Sequence, residues 1–415
     1  MKIIVNIVIL VFLGTSVSQA QVLDDYFKIA AENNPGLQAK YREFEAAIQK
    51  VEQVNTLPDP NFSFGYFISP VETRVGPQKA RFSLTQMFPW FGTLRAQGNA
   101  AALMAEAQYQ AFLDARNRLY YQVAAAYYPL YELNQWKEIE RENIEILESY
   151  KTIGTKKFEN GEGPMVDVLR VDIMLKEAQT NLEILSKKEK PLRVTFNNLL
   201  NRNESEEVEV SEILPTPVLE SDYRKDSLFD SNPVLEELDL KTASSEASEE
   251  VAYKQGLPKF GLGLDYVLVG DRTDLASDMA APQDNGKNAL MPMVSVSIPI
   301  FRNKYKAAVK EAQLMQESYS LQKEDFANAL TSSYEMTWFE IQQQQELLEL
   351  YDQQIQESNQ ALNLLFTAYG NSGNEFEEVL RMQQQLLKYE KMKATAETQY
   401  QIALARLNYL TAKTY

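Results

Sequence analysis

Apolar residues recur along the chain with two different periods, and the two predict different elements. Four short stretches alternate every second residue, as half-buried strands do. In NFSFGYFIS, Phe62, Phe64, Tyr66 and Ile68 alternate with Ser63, Gly65, Phe67 and Ser69. In ARFSLTQMF, Phe82, Leu84 and Phe88 alternate with Arg81, Ser83, Thr85 and Met87. In KFGLGLDYVLV, Phe260, Leu262, Leu264, Tyr266 and Leu268 face away from Lys259, Gly261, Gly263, Asp265 and Val267. In MVSVSIPI, Val294, Val296 and Ile298 are set against Ser295 and Ser297. One face of each strand is apolar and the other small or polar. The runs have the roughly 9–11 residues that a tilted transmembrane strand needs, although a soluble sandwich would alternate in the same way. Two hairpins are predicted, over 61–88 and 259–300.

Nearly everything else follows a helical period and is long. From about Thr93 to Phe158 the one strong breaker is Pro129, and from about Lys304 to Tyr369 there is none. Helices are predicted over 93–158 and 304–369, with Pro129 kinking or loosening the first through its missing donor and its clash with the preceding turn. Further helices are predicted over 165–201 and 375–412. The Ala-rich patches 100–111 and 123–126 would let neighbouring helices approach closely, while Glu, Gln and Lys cover the rest. The aromatics Tyr120, Tyr121, Tyr127, Tyr128, Tyr131 and Trp136, and then Tyr334, Trp338 and Phe339, are read as packing residues.

The chain also repeats itself. KFENGEGPMVDVLR at Lys157–Arg170 reappears as AYGNSGNEFEEVLR at Ala368–Arg381, an offset of 381 − 170 = 211. Asn33-Asn34-Pro35 pairs with Ser231-Asn232-Pro233, Leu57-Pro58 with Leu257-Pro258, Phe88-Pro89 with Ile298-Pro299, and Tyr127-Tyr128 with Trp338-Phe339. Two copies of one design are therefore expected, residues 21–212 and 213–415. In each, the repeated motif marks a helical-hairpin tip, 159–164 and 370–374. The helix-breaking Gly161, Gly163, Gly370 and Gly373 would form its turns.

Composition narrows the function. Lys2 followed by the apolar run Ile3–Leu13 and the small-residue site Ser18-Gln19-Ala20 has the layout of a secretory signal peptide over residues 1–20. Eleven apolar residues fall short of the roughly 20 that span a membrane as a helix. The formal net charge is −17, and −18 (40 − 58) without Lys2, a field that repels nucleic acid and suits cations or plain solubility. The chain contains neither cysteine nor histidine, which removes disulfides, thiolate sites, N-terminal lipidation, the usual general base and the usual zinc ligand. GxSxG, P-loop and dinucleotide motifs are missing as well, so a non-enzyme without catalytic residues, resident metal or cofactor is expected. Met279, Met291 and Met293 lie around the second hairpin. Thioethers suit Cu(I), but these residues are read first as apolar gap-fillers of strand or loop.

Four strands per chain would leave unpaired edges that hydrocarbon does not tolerate, so the sheet must close between chains. Two copies give eight strands, whose side chains fill the interior, and three give twelve with room for a lumen. The expected fold is mostly α with a membrane β-barrel: a homotrimer whose twelve-stranded barrel continues into a long α-helical coiled-coil tube. Lipid would then face Phe62, Phe64, Tyr66, Ile68, Phe82, Leu84, Phe260, Leu262, Leu264, Tyr266, Val294, Val296 and Ile298.

The ordered set of motifs resembles the TolC family of trimeric outer-membrane efflux channels across essentially the whole sequence beyond residue 20. It comprises the two-fold repeat, a hairpin after each Leu-Pro, the junctions Pro89-Trp90-Phe91-Gly92 and Pro299-Ile300-Phe301, and paired tips ending in Asp/Glu-Val-Leu. The segment Pro58–Gly92 looks more like the branch serving copper, silver, zinc or cobalt pumps than the multidrug branch. The resemblance implies an energy-independent exit duct in the outer membrane of a Gram-negative bacterium, its helical tube in the periplasm. There it would dock a periplasmic adaptor (membrane fusion) protein and an inner-membrane resistance-nodulation-division pump. It also implies roles at the tip: an acidic ring at Glu378 with Asp167 as its counterpart in the first repeat, and a cross-tip hydrogen-bonding tyrosine at Tyr369. Two positions depart from the pattern, since Arg381 stands at the second acidic ring and Asn374 where the family has an arginine. Glu378 and Arg381, three residues apart on one helix face, are equally readable as a surface ion pair. Two other readings stay open, a periplasmic coiled-coil adaptor or scaffold without a barrel, and a protein-secretion duct of the same fold.

Overall fold

A computed structural model describes residues 21–214, 228–229, 231–274, 280–372 and 376–413. The elements in chain order are α1 (Gln21–Asn33), α2 (Pro35–Val54), β1 (Asn61–Val71), β2 (Gln78–Phe88), α3 (Thr93–Glu159), α4 (Met165–Leu199), α5 (Pro233–Gln255), β3 (Lys259–Val269), β4 (Ala289–Ser297), α6 (Asn303–Ser372) and α7 (Phe376–Leu410). Two helices dominate, α3 with 67 residues and α6 with 70. α3 continues as helix across Pro129. The expected signal peptide, Gly373, Asn374 and Met279 lie outside the described residues.

The chain divides into two compact units, and each draws on both halves of the sequence. One comprises Arg42–Gln110 and Leu235–Asp325. It holds a four-stranded antiparallel sheet in the order β1-β2-β3-β4. Around its helical segments, buried alanines (Ala96, Ala105, Ala107, Ala247 and Ala252) replace bulky core residues. Close helix approach lets polar groups reach across: Ser244 Oγ donates to the Ala100 carbonyl at 2.8 Å, and Gln313 and Gln316 donate to Glu249, both at 2.9 Å.

The other unit comprises the described residues of Met1–Tyr41, Ala111–Val234 and Phe326–Tyr415. One of its cores gathers Tyr26, Phe27, Leu119, Val123, Tyr127, Phe196 and Leu200. The segment after α4 is strapped onto this core, because the backbone N–H groups of Glu209 and Ser211 donate to the hydroxyls of Tyr26 and Tyr127, both at 2.9 Å. The Asn-Pro motifs do equivalent work at two places. Asn34 Oδ1 accepts from Leu37 N–H while its amide donates to the Leu199 carbonyl, and Asn232 Oδ1 accepts from Val234 N–H while its amide donates to the Leu410 carbonyl. The two helix ends so contacted close alike. Arg202 N–H returns to Asn197 and Lys413 N–H to Asn408, with Asn201 and Ala412 both at φ 51°. The Schellman-type turn demands that left-handed residue, and the two ends are 410 − 199 = 211 positions apart.

Two expectations are corrected. β4 ends at Ser297, so Ile298 lies just outside the sheet. Pro299 follows it and has no N–H with which to continue a ladder. Gly370 lies within α6, which stays helical through Ser372, and is therefore not a turn residue. A helical glycine costs only about 1 kcal/mol against alanine.

Candidate membrane face and helical tip

Register brings the alternating residues of all four strands onto one surface. Phe62 pairs with Leu84, Phe64 with Phe82, and Tyr66 with Ala80. Across the next ladder Phe82 meets Tyr266, Leu84 meets Leu264, and Phe88 meets Phe260. Phe260 then meets Val296, Leu262 meets Val294, and Tyr266 meets Leu290. Because side-chain direction has period two, all of these share one face. This face is bare in the single chain: Phe62, Phe64, Tyr66 and Ile68 are 63, 59, 70 and 91% exposed, and Val294 75%. So large a contiguous apolar patch marks an interaction surface rather than ordinary solvent-facing strand. Gln86 lies on the same face near a strand end, where its amide donates to the carbonyls of Pro58 (2.7 Å) and Met87 (2.9 Å). At that end Trp90 and Phe91 pack around the Phe260 ring, with centroids 5.9 and 6.5 Å away.

The opposite face is polar. Asp265, fully buried, accepts from Arg81 and from the Ser83 hydroxyl. Neither Asp265 nor Arg81 stood out in the sequence as a functional residue, though an acid inside an otherwise apolar-and-glycine strand was the available signal. Met87, Met291 and Met293 also belong to this polar face. Glycines make room for two of them: a Cβ added at Gly261 would fall 2.6 Å from Met87 Sδ, and one at Gly263 would fall 3.3 Å from Met293 Cε.

The tip lies in the other unit. α3 ends at Glu159, the chain turns at Gly161 with φ +74°, and Pro164 in extended conformation precedes α4. Gly163 sits in the same turn. Tyr369, 2% exposed, stacks on Phe376 with ring centroids 4.6 Å apart. Tyr150 contacts Phe376 edge-on and stacks on Phe366, so α3, α6 and α7 share one aromatic cluster.

The predicted tip residues are brought together only in part. Asp167 is buried, and burial pushes its carboxyl above the usual range while the Arg170 guanidinium at 3.8 Å pulls it back and Glu377 pushes it up again. Arg170 also reaches Glu377 at 2.9 Å, tying α4 to α7. Burial raises the Tyr369 phenol, with the charge of Asp167 adding to the effect. The Tyr369 hydroxyl accepts and donates no hydrogen bond among the described residues. Its cross-hairpin contacts come instead through its carbonyl and ring: Lys157 Nζ donates to that carbonyl at 2.7 Å and lies 4.1 Å from the ring centroid. Lys157, Arg170, Glu377 and Phe376 were missed because nothing in linear spacing reveals contacts more than 200 positions apart. Glu378 and Arg381 form an exposed ion pair on one face of α7. The two acids aligned by the repeat thus differ, Asp167 buried and Glu378 only half-buried.

No helix among the described residues is long and apolar enough to cross a membrane, a finding that does not bear on strands. Neither a protein-family model nor a curated protein sequence matches the chain. Solved structures do. The outer-membrane channel OprN matches at TM-score 0.74 and 17% identity, over 95% of this chain and 90% of that one. The outer-membrane protein VceC from Vibrio cholerae matches at TM-score 0.75 and 14% identity, over 94% and 96%. CusC, described in terms of transmembrane channel formation, matches at TM-score 0.77 and 13% identity, over 94% and 92%. At such identities the likeness speaks to architecture, and it extends over nearly the full length of both partners: this chain has the fold of the outer-membrane channel proteins.

Proposed function

We propose that the protein is the outer-membrane exit duct of a tripartite efflux system, a member of the TolC family acting without chemistry of its own. One observation carries the reading. A four-stranded sheet with a continuous exposed apolar face belongs to a chain whose helices reach 67 and 70 residues. The sheet leaves β1 and β4 as edges. In hydrocarbon those edges must pair, and three copies close twelve strands around a lumen. The homotrimer places the apolar face on lipid and Asp265, Arg81 and the serines on the lumen. The adaptor and the resistance-nodulation-division pump enter as partners through the family resemblance, and the helical tip is the surface we assign to the adaptor. Glu378 and its neighbours are the residues we assign to the aperture.

The cargo we assign is heavy-metal cations, on the likeness of Pro58–Gly92 to the metal-efflux branch. The net charge of −17 favours cations in the same sense.

Two measurements test the reading. Membrane fractionation followed by an unboiled gel is expected to show a detergent-soluble trimer in the outer membrane. A water-soluble periplasmic monomer would refute the duct and support a coiled-coil adaptor. Deletion in the native host is expected to sensitise cells to copper, silver, zinc or cobalt. Sensitivity to drugs alone moves the cargo to the multidrug class, and loss of an exported protein makes the duct a secretion channel.

A further inference from the structure

Within the unit that carries the tip, α3, α6 and α7 enclose a cavity of about 350 Å³. Its wall is mixed. Ile146, Leu362 and Leu386 supply apolar surface, and Glu142, Asn143, Gln383 and Glu390 supply polar groups. Both carboxylates lack an ion pair among the described residues, although cations are close in sequence. Arg141 pairs with Glu138, Lys137 with Glu189 and Lys391 with Glu140. Glu142 is exposed and Glu390 half-buried, and two like charges beside one space repel each other, a repulsion that a cation between them relieves.

A second feature points the same way. Gln383 is 2% exposed, and its amide nitrogen faces Asn143 Oδ1 at 3.5 Å, while its amide oxygen accepts no hydrogen bond among the described residues. A buried acceptor left unpaired costs about 1–3 kcal/mol, so a hydrogen-bond donor entering the cavity would recover that cost. Burial and the neighbouring charge of Glu142 raise the Glu390 carboxyl.

We infer that this cavity is a binding site for an amphipathic organic cation, an ammonium group carrying an apolar body. The ammonium would sit between the Glu142 and Glu390 carboxylates and donate to Gln383 Oε1, with its hydrocarbon against Ile146, Leu362 and Leu386. A bare divalent metal is a poorer match. His, Cys, Asp and Glu side chains do not gather in groups of three or more among the described residues, and a hard cation gains nothing from the apolar wall. The inference does not depend on the duct reading, since the cavity lies within one chain.

The test uses the full-length protein in a non-ionic detergent, with phenethylammonium as probe and 2-phenylethanol as its neutral counterpart, by titration calorimetry. The ammonium is expected to bind at least tenfold more tightly than the alcohol. The double variant Glu142→Gln/Glu390→Gln is expected to lose that preference, and Gln383→Leu to weaken ammonium binding at least threefold. Unchanged circular dichroism certifies each variant. Equal affinity for the two probes, or a preference that survives in the double variant, overturns the site. A cavity-filling Leu362→Phe variant gives an independent check: it is expected to abolish binding of the ammonium, and undiminished binding would place the probe elsewhere.

Discussion

Replacing Lys157 by methionine is the most direct perturbation of the tip. The ammonium of Lys157 makes two contacts across the hairpins, a 2.7 Å hydrogen bond to the Tyr369 carbonyl and a position 4.1 Å from that ring's centroid. A hydrogen bond involving a charged group contributes roughly 1.5–3 kcal/mol net, and a cation over an aromatic ring about 0.5–1 kcal/mol at a partly exposed site. Methionine retains most of the aliphatic stem and so preserves packing. Allowing for solvent reaching the half-buried ammonium, the loss is about 2 kcal/mol, which raises the local opening constant roughly 30-fold. Amide hydrogen exchange over 365–372 and 376–380 reads that constant directly when closing is fast. Lys156, exposed and one residue away, is the control, and Lys156→Met is expected to change exchange less than twofold. If Lys157→Met accelerates exchange no more than its neighbour does, Lys157 is not a latch between the hairpins.

Four further outcomes are expected. Phe64→Arg on the apolar face should cost about 2–4 kcal/mol in folding into lipid vesicles, whereas Ser63→Arg on the opposite face should cost under about 1 kcal/mol; equal effects would remove the lipid assignment. Asp167 has a carboxyl raised above its unfolded value, so its favourable contribution is complete below the unfolded pKa and is lost as pH rises through the folded one. Protection of amides 165–171 should therefore fall with rising pH, and Asp167→Asn should flatten that dependence. Glu378→Ala should alter single-channel cation preference in a planar bilayer while changing stability by under about 1 kcal/mol, as an exposed pair allows; unchanged selectivity leaves Glu378 as surface charge. Asn34→Ala and Asn232→Ala should each lower the thermal midpoint through loss of about 1 kcal/mol of capping, and a silent variant would show that one helix end closes without its asparagine.

What could be read from the sequence was whatever has a period or a repeat. Alternation in 61–69 and 259–269 fixes which side chains share a face, because a strand's period of two leaves no choice once the register is set; the ladders then place Phe64 opposite Phe82 and Leu264 opposite Pro292. The lengths of α3 and α6 followed from the scarcity of breakers, and even Pro129 did not end a helix. Glycine was a weaker guide, since Gly161 turns the chain at positive φ while Gly370 stays helical. Their surroundings do not separate the two, since both are exposed with open space where a Cβ would sit; the difference lies in the backbone, left-handed at Gly161 and helical at Gly370.

Chemistry between distant segments was not legible. The repeat suggested that Asp167 and Glu378 are equivalents, yet burial depends on what packs above each acid and not on the motif that carries it. Asp167 opens α4, is buried, and lies near enough to Tyr369 for its charge to raise that phenol. Glu378 is only half-buried and has Arg381 as its partner. A duplicated sequence therefore produced two helical ends that close the same way, at Asn201 and Ala412, and two tips that do not. Backbone geometry at a helix end is decided within half a dozen residues, so duplication preserves it. The state of a carboxylate is decided by everything within several ångströms in space, and there the two copies are free to diverge. At the tip that divergence is concrete: burial raises the Asp167 carboxyl, while Glu378 keeps an ion pair with Arg381.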